Sequence, residues 1–153
     1  MKRTHVLPLV ALASVLGGAA VTHAALTPSA RASSSAKVEL RSTRLGKILT
    51  TASGLTLYEF THDRGSENSC VKIHNCAKFW PALETTGRPS AGAGVNASLL
   101  SSIGLPGGAR QVTYAGHALY LFSQDRPGET GYVGESAFGG RWYALNAAGR
   151  AVK

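Results

Sequence analysis

The chain has 153 residues, a formal charge of +8 at pH 7, two cysteines and five histidines. Its lysines and arginines are scattered, without a run of four or more, which excludes a basic stripe of the kind that binds nucleic acid. The length is near the usual single-domain range and allows a buried core, though not a generous one.

Lys2 and Arg3 precede an apolar run from Val6 to Val21, and small residues follow it. This pattern predicts an export signal over residues 1–32, cut after Ala24 or after Ala32. The run is shorter than the roughly 20 residues a spanning helix needs, and Pro8 and Gly17-Gly18 weaken it further. No stable membrane insertion is expected once the signal is removed. A cut after Ala32 removes Lys2, Arg3 and Arg31 and no acidic residue, which lowers the charge from +8 to +5. That charge is compatible with weak attraction to anionic wall polymer or lipid head groups, and reads first as solvated surface. Residues 33–37 close an Ala/Ser-rich stretch without apolar periodicity and are expected to form a flexible lead-in to one small domain over 38–153.

That domain contains a duplication. Tyr58-Glu59-Phe60-Thr61-His62-Asp63 is matched by Tyr120-Leu121-Phe122-Ser123-Gln124-Asp125, an offset of 62 residues. The same offset joins Gly54 to Gly116, Leu57 to Leu119, Arg64 to Arg126, Glu67 to Glu129, Trp80 to Trp142 and Gly87-Arg88 to Gly149-Arg150. Register kept without a gap over that span predicts two tandem repeats, about 47–88 and 110–150, related by a pseudo-twofold.

Each repeat reads as an antiparallel hairpin: Lys47 to Thr51 and Leu55 to Thr61 about a turn at Ala52-Ser53-Gly54, then Gln111 to Tyr114 and Ala118 to Ser123 about Ala115-Gly116. Period-two alternation puts Tyr58 and Phe60 on one strand face with Leu57 on the other, and repeats this for Tyr120, Phe122 and Leu119. Asp63 and Asp125 open Gly-containing turns, where an aspartate bonds backbone amides. Trp80 and Trp142 are expected to plug the core. Val95 to Ile103 reads as a short helix capped by Asn96 and ended by Leu105-Pro106-Gly107-Gly108. The fold class is therefore mainly β, with one or two short helices.

Cys70 and Cys76 occur in the first repeat only; Tyr132 and Phe138 stand at their places in the second. In an exported protein such a pair forms a disulfide. The other reading makes Cys70, His74 and Cys76 a ligand set for copper or another metal. Asp63 and Asp125, with Glu67 and Glu129 four residues on, resemble paired acid/base or calcium carboxylates, but a duplicated turn residue explains them as well. Gly134-Glu135-Ser136-Ala137-Phe138 fails a Gly-x-Ser-x-Gly elbow at its last position. His62 and His117 have no counterpart at the repeat offset. No catalytic set converges. The aromatic residues of the repeat motif serve either the core or a surface for a flat ligand such as a quinone or porphyrin.

The motif Tyr-x-(Phe/Trp/Tyr)-x-x-Asp in two copies, with Cys76-Ala77-Lys78-Phe79-Trp80-Pro81 after the first, resembles a bacterial family of secreted repeats of unknown function. Its members are described as predicted lipoproteins with a Yx(FWY)xxD motif. The stretches Leu57 to Asp63, Val112 to Tyr120 and Gly140 to Tyr143 carry the same resemblance. It implies a bacterial envelope or secreted protein and brings no established activity. Two departures stand out: the chain has no cysteine at the end of the apolar run for lipid attachment, and Cys70 and Cys76 are further apart than in relatives.

The function expected from these residues is a non-enzymatic exported domain, binding or structural, whose partner is an envelope component or small ligand, with no cofactor. The alternative is a metal- or redox-linked accessory protein of the cell envelope working through Cys70, His74 and Cys76.

Overall fold

Val38 and Leu40 alternate with charged residues along Lys37–Thr43, and Gly46–Thr51 carries the apolar pair Ile48 and Leu49. These two strands, β1 (Lys37–Thr43) and β2 (Gly46–Thr51), form the first hairpin, in register from Val38↔Thr51 to Thr43↔Gly46. They belong to a computed structural model that describes residues 35–153, so the expected signal over 1–32 lies outside the described residues, as do the first two residues of the lead-in. Lys37, the last lead-in residue, already belongs to β1.

The remaining elements are β3 (Tyr58–Phe60), the helix α1 (Cys76–Phe79), β4 (Glu84–Thr85), β5 (Ser90–Ala91), β6 (Leu100–Gly104), β7 (Arg110–Tyr114), β8 (His117–Ala118), β9 (Ser136–Ala137), β10 (Gly140–Leu145) and β11 (Ala151–Val152). Short 3-10 turns occupy Cys70–Lys72, Ala97–Leu99 and Pro106–Gly108. Among the described residues the strands form three small sheets. One runs β2-β1-β5, with β5 parallel to β1; the second runs β11-β10-β3, with β9 also on β10; the third runs β4-β7-β6, with β8 also on β7. The protein is mainly β, as its alternation predicts, and every other strand pair is antiparallel.

The first repeat's hairpin forms only at its base. Leu57 N donates to Leu49 O at 3.1 Å and Thr50 bridges Thr56, after which the chain departs. β3 instead pairs with β10, setting Phe60 opposite Trp142 and Tyr58 opposite Ala144. The approach is close: a Cβ on Gly140 would lie 2.6 Å from Phe60 Cε2, so this position accepts no side chain without displacement. In the second repeat the hairpin closes through Ala115 and Gly116, both at positive φ, the two-residue turn that matches strand twist.

The helix expected over Val95 to Ile103 is replaced by a single 3-10 turn followed by β6. Asn96 does cap the turn, its Oδ1 accepting from Ser98 N at 3.0 Å. Beyond it, Leu100 to Gly104 pair with Tyr114 to Arg110, and this ladder satisfies backbone groups that a short Ser- and Gly-containing helix would hold weakly.

Two apolar clusters lie on opposite faces of the repeat strands. Leu57 and Leu119 join Val38, Leu49, Val112 and Leu145 in an aliphatic cluster. Tyr58, Phe60 and Tyr120 join Cys70, Cys76, Trp80 and Trp142 in an aromatic one. The alternation read from the sequence therefore sends Leu57 and Leu119 to one cluster and Tyr58, Phe60 and Tyr120 to the other, while Tyr114 joins the leucines.

Candidate functional site

At the centre of the aromatic cluster, Tyr58 and Tyr120 exchange both backbone hydrogen bonds, each N–H donating to the other's carbonyl at 2.9 Å. Their hydroxyls then cross between repeats. Tyr58 Oη donates to Asp125 Oδ2 at 2.7 Å, and Tyr120 Oη donates to Asp63 Oδ2 at 2.7 Å. Sequence spacing placed these aspartates at turns but gave no sign of the crossed partners. Asp63 also accepts from Ser69 N at 2.8 Å, an amide six residues on. Asp125 Oδ1 is buried and unpartnered.

Burial raises the Asp125 carboxyl from its ordinary range to about 6, with Glu129 adding repulsion and the Tyr58 hydroxyl opposing. Burial likewise raises Asp63, against the hydrogen bonds from Ser69 and Tyr120. Both phenols are held protonated well above their usual range, by burial first and by the facing carboxylate second. Outside the motif, Glu59 is buried and takes His117 Nδ1 at 2.6 Å, a hydrogen bond that raises the histidine's pKa.

Four rings stack through the cluster in the order Phe60, Trp142, Trp80, Phe122. Phe60 and Trp142 are 4.0 Å apart at 5°, Trp142 and Trp80 are 4.0 Å apart at 2°, and Trp80 and Phe122 are 4.5 Å apart at 43°. Tyr58 meets Trp80 edge-on at 5.1 Å, and Tyr120 meets Trp142 edge-on at 5.2 Å. Such pairs each contribute roughly 0.5–1.5 kcal/mol beyond the area they bury. Tyr58, Phe60, Trp80, Tyr120 and Trp142 are all buried, so most of the repeat motif belongs to the core rather than to a surface.

The Phe122 end of the stack differs. Phe122, itself half-buried, packs on Tyr132 at 3.9 Å, and the two open onto a pocket of about 290 Å³. Phe79 and Phe138, 6.2 Å apart, form the facing wall, Trp80 and Ala137 complete the apolar lining, and Glu135 is the one carboxylate. Phe79 is 36% exposed, unusual for so large an apolar group.

Each wall is fixed by a nameable device. Phe79 ends α1, whose first residue is disulfide-bonded: Cys70 and Cys76 are joined, with Cα atoms 5.3 Å apart. Phe138 and Gly139 are the two turn residues between β9 and β10, at φ of 57° and 85°. Asn-Gly or Gly-Gly adopts this turn freely, whereas a bulky aromatic at positive φ is strained by roughly 1–2 kcal/mol. Tyr132 and Phe138 occupy the positions where the first repeat has Cys70 and Cys76. One repeat ties its loop with a disulfide; the other presents two rings there.

Sequence reading missed Phe79, Tyr132, Glu135 and Phe138 as a group. The available signal was Phe138-Gly139 between two short strands, an aromatic where hairpin chemistry asks for Asn or Gly. His74 is exposed between the cysteines, whose sulfurs are both engaged in the disulfide. Among the described residues no group of three or more His, Cys, Asp or Glu is placed to hold a metal ion. Among them, too, no helix is long and apolar enough to cross a membrane.

Residues 104–146 match a family described as a secreted repeat of unknown function. The matched stretch includes Tyr120, Phe122, Asp125 and Trp142, and with them Tyr132, Glu135 and Phe138 of the pocket. No curated protein and no solved structure matches the chain significantly. A secreted family and a disulfide agree on an oxidising, extracytoplasmic setting.

Proposed function

We propose that this is a non-enzymatic binding domain of the bacterial cell envelope, exported by a cleaved signal over residues 1–32, which takes a small ligand in the pocket walled by Phe79, Phe122, Tyr132 and Phe138. The observation that carries this reading is Phe138. A strained aromatic is kept in a turn that Asn would fill without strain, and its half-buried ring both packs on the edge of the aromatic cluster and lines the pocket. The buried stack and the crossed Tyr–Asp bonds support a scaffold role for the motif itself. Their exchange pattern, Tyr58 to Asp125 and Tyr120 to Asp63, also supports a pseudo-twofold relation between the repeats.

The test is chemical-shift mapping with a panel of small neutral and cationic benzene derivatives, on the intact domain and on Phe138→Asn. Perturbations centred on Phe79, Phe122 and Tyr132, abolished in a Phe138→Asn protein that still unfolds cooperatively, are the expected result. Absence of any localised perturbation with every compound, or its persistence in the variant, overturns the reading. The copper alternative at Cys70, His74 and Cys76 requires the disulfide to open. Intact-mass measurement of unreduced protein after copper addition separates the two, because a copper adduct carrying both thiols reduced would favour the metal site.

A further inference from the structure

We infer that the ligand of this pocket is a small soluble cation with an alkylated ammonium group, held by the faces of the aromatic rings and by the Glu135 carboxylate. This rests on the reading of the pocket as a ligand site and adds the ligand's charge. Five aromatic rings line the pocket; Trp80 and Phe122 give their faces to the stack, which leaves Phe79, Tyr132 and Phe138 to present rings to a ligand. A ring face carries the negative part of the aromatic quadrupole, so several faces around one space attract a cation that sheds its water readily. Alkylated ammonium groups do so; metal ions and primary ammonium groups do not.

Glu135 gives the pocket its sign. It is the one carboxylate in the lining, which holds no lysine, arginine or histidine; it is exposed, and it makes no ion pair among the described residues. After the proposed cleavage the chain keeps a formal charge of +5, yet the lining of this pocket holds a carboxylate and no basic side chain. The neighbouring Arg141 directs its guanidinium to the Gly134 carbonyl at 3.3 Å. Lys78 Nζ, a strongly hydrated primary ammonium outside the lining, lies 6.0 Å from the Phe79 centroid and adds positive charge near that ring. A volume of about 290 Å³ sits at the small end of ligand sites, which favours a free solute over a lipid held in a bilayer.

The experiment compares two compounds of one shape, phenyltrimethylammonium and tert-butylbenzene, by titration of the intact domain. The cation is expected to bind about tenfold more tightly. Glu135→Gln should remove several-fold of the cation's affinity and leave the neutral compound unchanged. Lys78→Gln, which deletes a competing positive charge, should strengthen cation binding alone. Equal affinities for the two compounds, or indifference of the cation to Glu135→Gln, overturn the charge inference while leaving the pocket a ligand site. Failure of both compounds to bind removes the ligand site and this inference with it. Phosphatidylcholine vesicles are titrated alongside; capture of vesicles without binding of the free cation overturns the soluble source.

Discussion

Replacing Tyr58 by Phe isolates the crossed Tyr–Asp bond, because it deletes one buried hydroxyl and little volume. Asp125 Oδ2 then loses the donor at 2.7 Å, while Oδ1 is already buried and unpartnered. A hydrogen bond to a charged group contributes roughly 1.5–3 kcal/mol, so Tyr58→Phe should destabilise the domain by about 2–3 kcal/mol at pH 7.5. The matching Tyr120→Phe leaves Asp63 its bond from Ser69 N at 2.8 Å, and its loss should be nearer 1 kcal/mol. Acidity provides a second axis. The Tyr58 hydroxyl lowers an Asp125 pKa that burial has raised to about 6, so at pH 4.5 the carboxyl is protonated with or without it. Only a neutral hydrogen bond is then lost, and the cost of Tyr58→Phe should shrink to about 1 kcal/mol. Urea unfolding followed by fluorescence of the two buried tryptophans reads both numbers. Equal losses for the two variants, or a Tyr58→Phe loss that does not change between pH 7.5 and 4.5, would refute the assignment of the bond to an ionised Asp125.

Three further outcomes follow from the same packing. Trp142→Ala removes the ring held between Phe60 and Trp80 at 4.0 Å on each side, and Trp80→Ala opens the next layer; each should cost roughly 3–5 kcal/mol in urea midpoints. Stability should decline as pH rises from 5 to 8. Asp125, raised by burial to about 6, and His117, raised from its ordinary value by its hydrogen bond to Glu59, bind their protons more tightly in the native state, and that stabilisation is lost as pH climbs through each folded value. Partial solvation limits the Asp125 share to about 1 kcal/mol, and melting temperatures that rise across this range would contradict the assignment. The double variant Cys70→Ser/Cys76→Ser should lose roughly 2 kcal/mol, the entropy of closing so short a loop. It should also weaken ligand binding, since the disulfide anchors the helix that carries Phe79.

By itself the sequence determined the features that repeat locally. Tyr58, Phe60, Tyr120 and Phe122 alternate with Leu57 and Leu119, and that period of two set which residues share a face before any partner was known. The two tryptophans, the cysteine pair and the Asn96 cap were legible for the same reason: residue type and nearest neighbours suffice for them. Partner choice was not. β3 abandons its own hairpin for a strand some eighty residues away, because only there do the faces of Phe60 and Trp142 meet. The segment from Leu100 to Gly104 is a strand because β7 offers it a ladder, which no local propensity records. The crossing of each tyrosine to the other repeat's aspartate, and the gathering of Phe79, Tyr132, Glu135 and Phe138 around one space, depend on distances between segments far apart in the chain. Local chemistry fixes which way a side chain points. Only tertiary packing decides what it meets there.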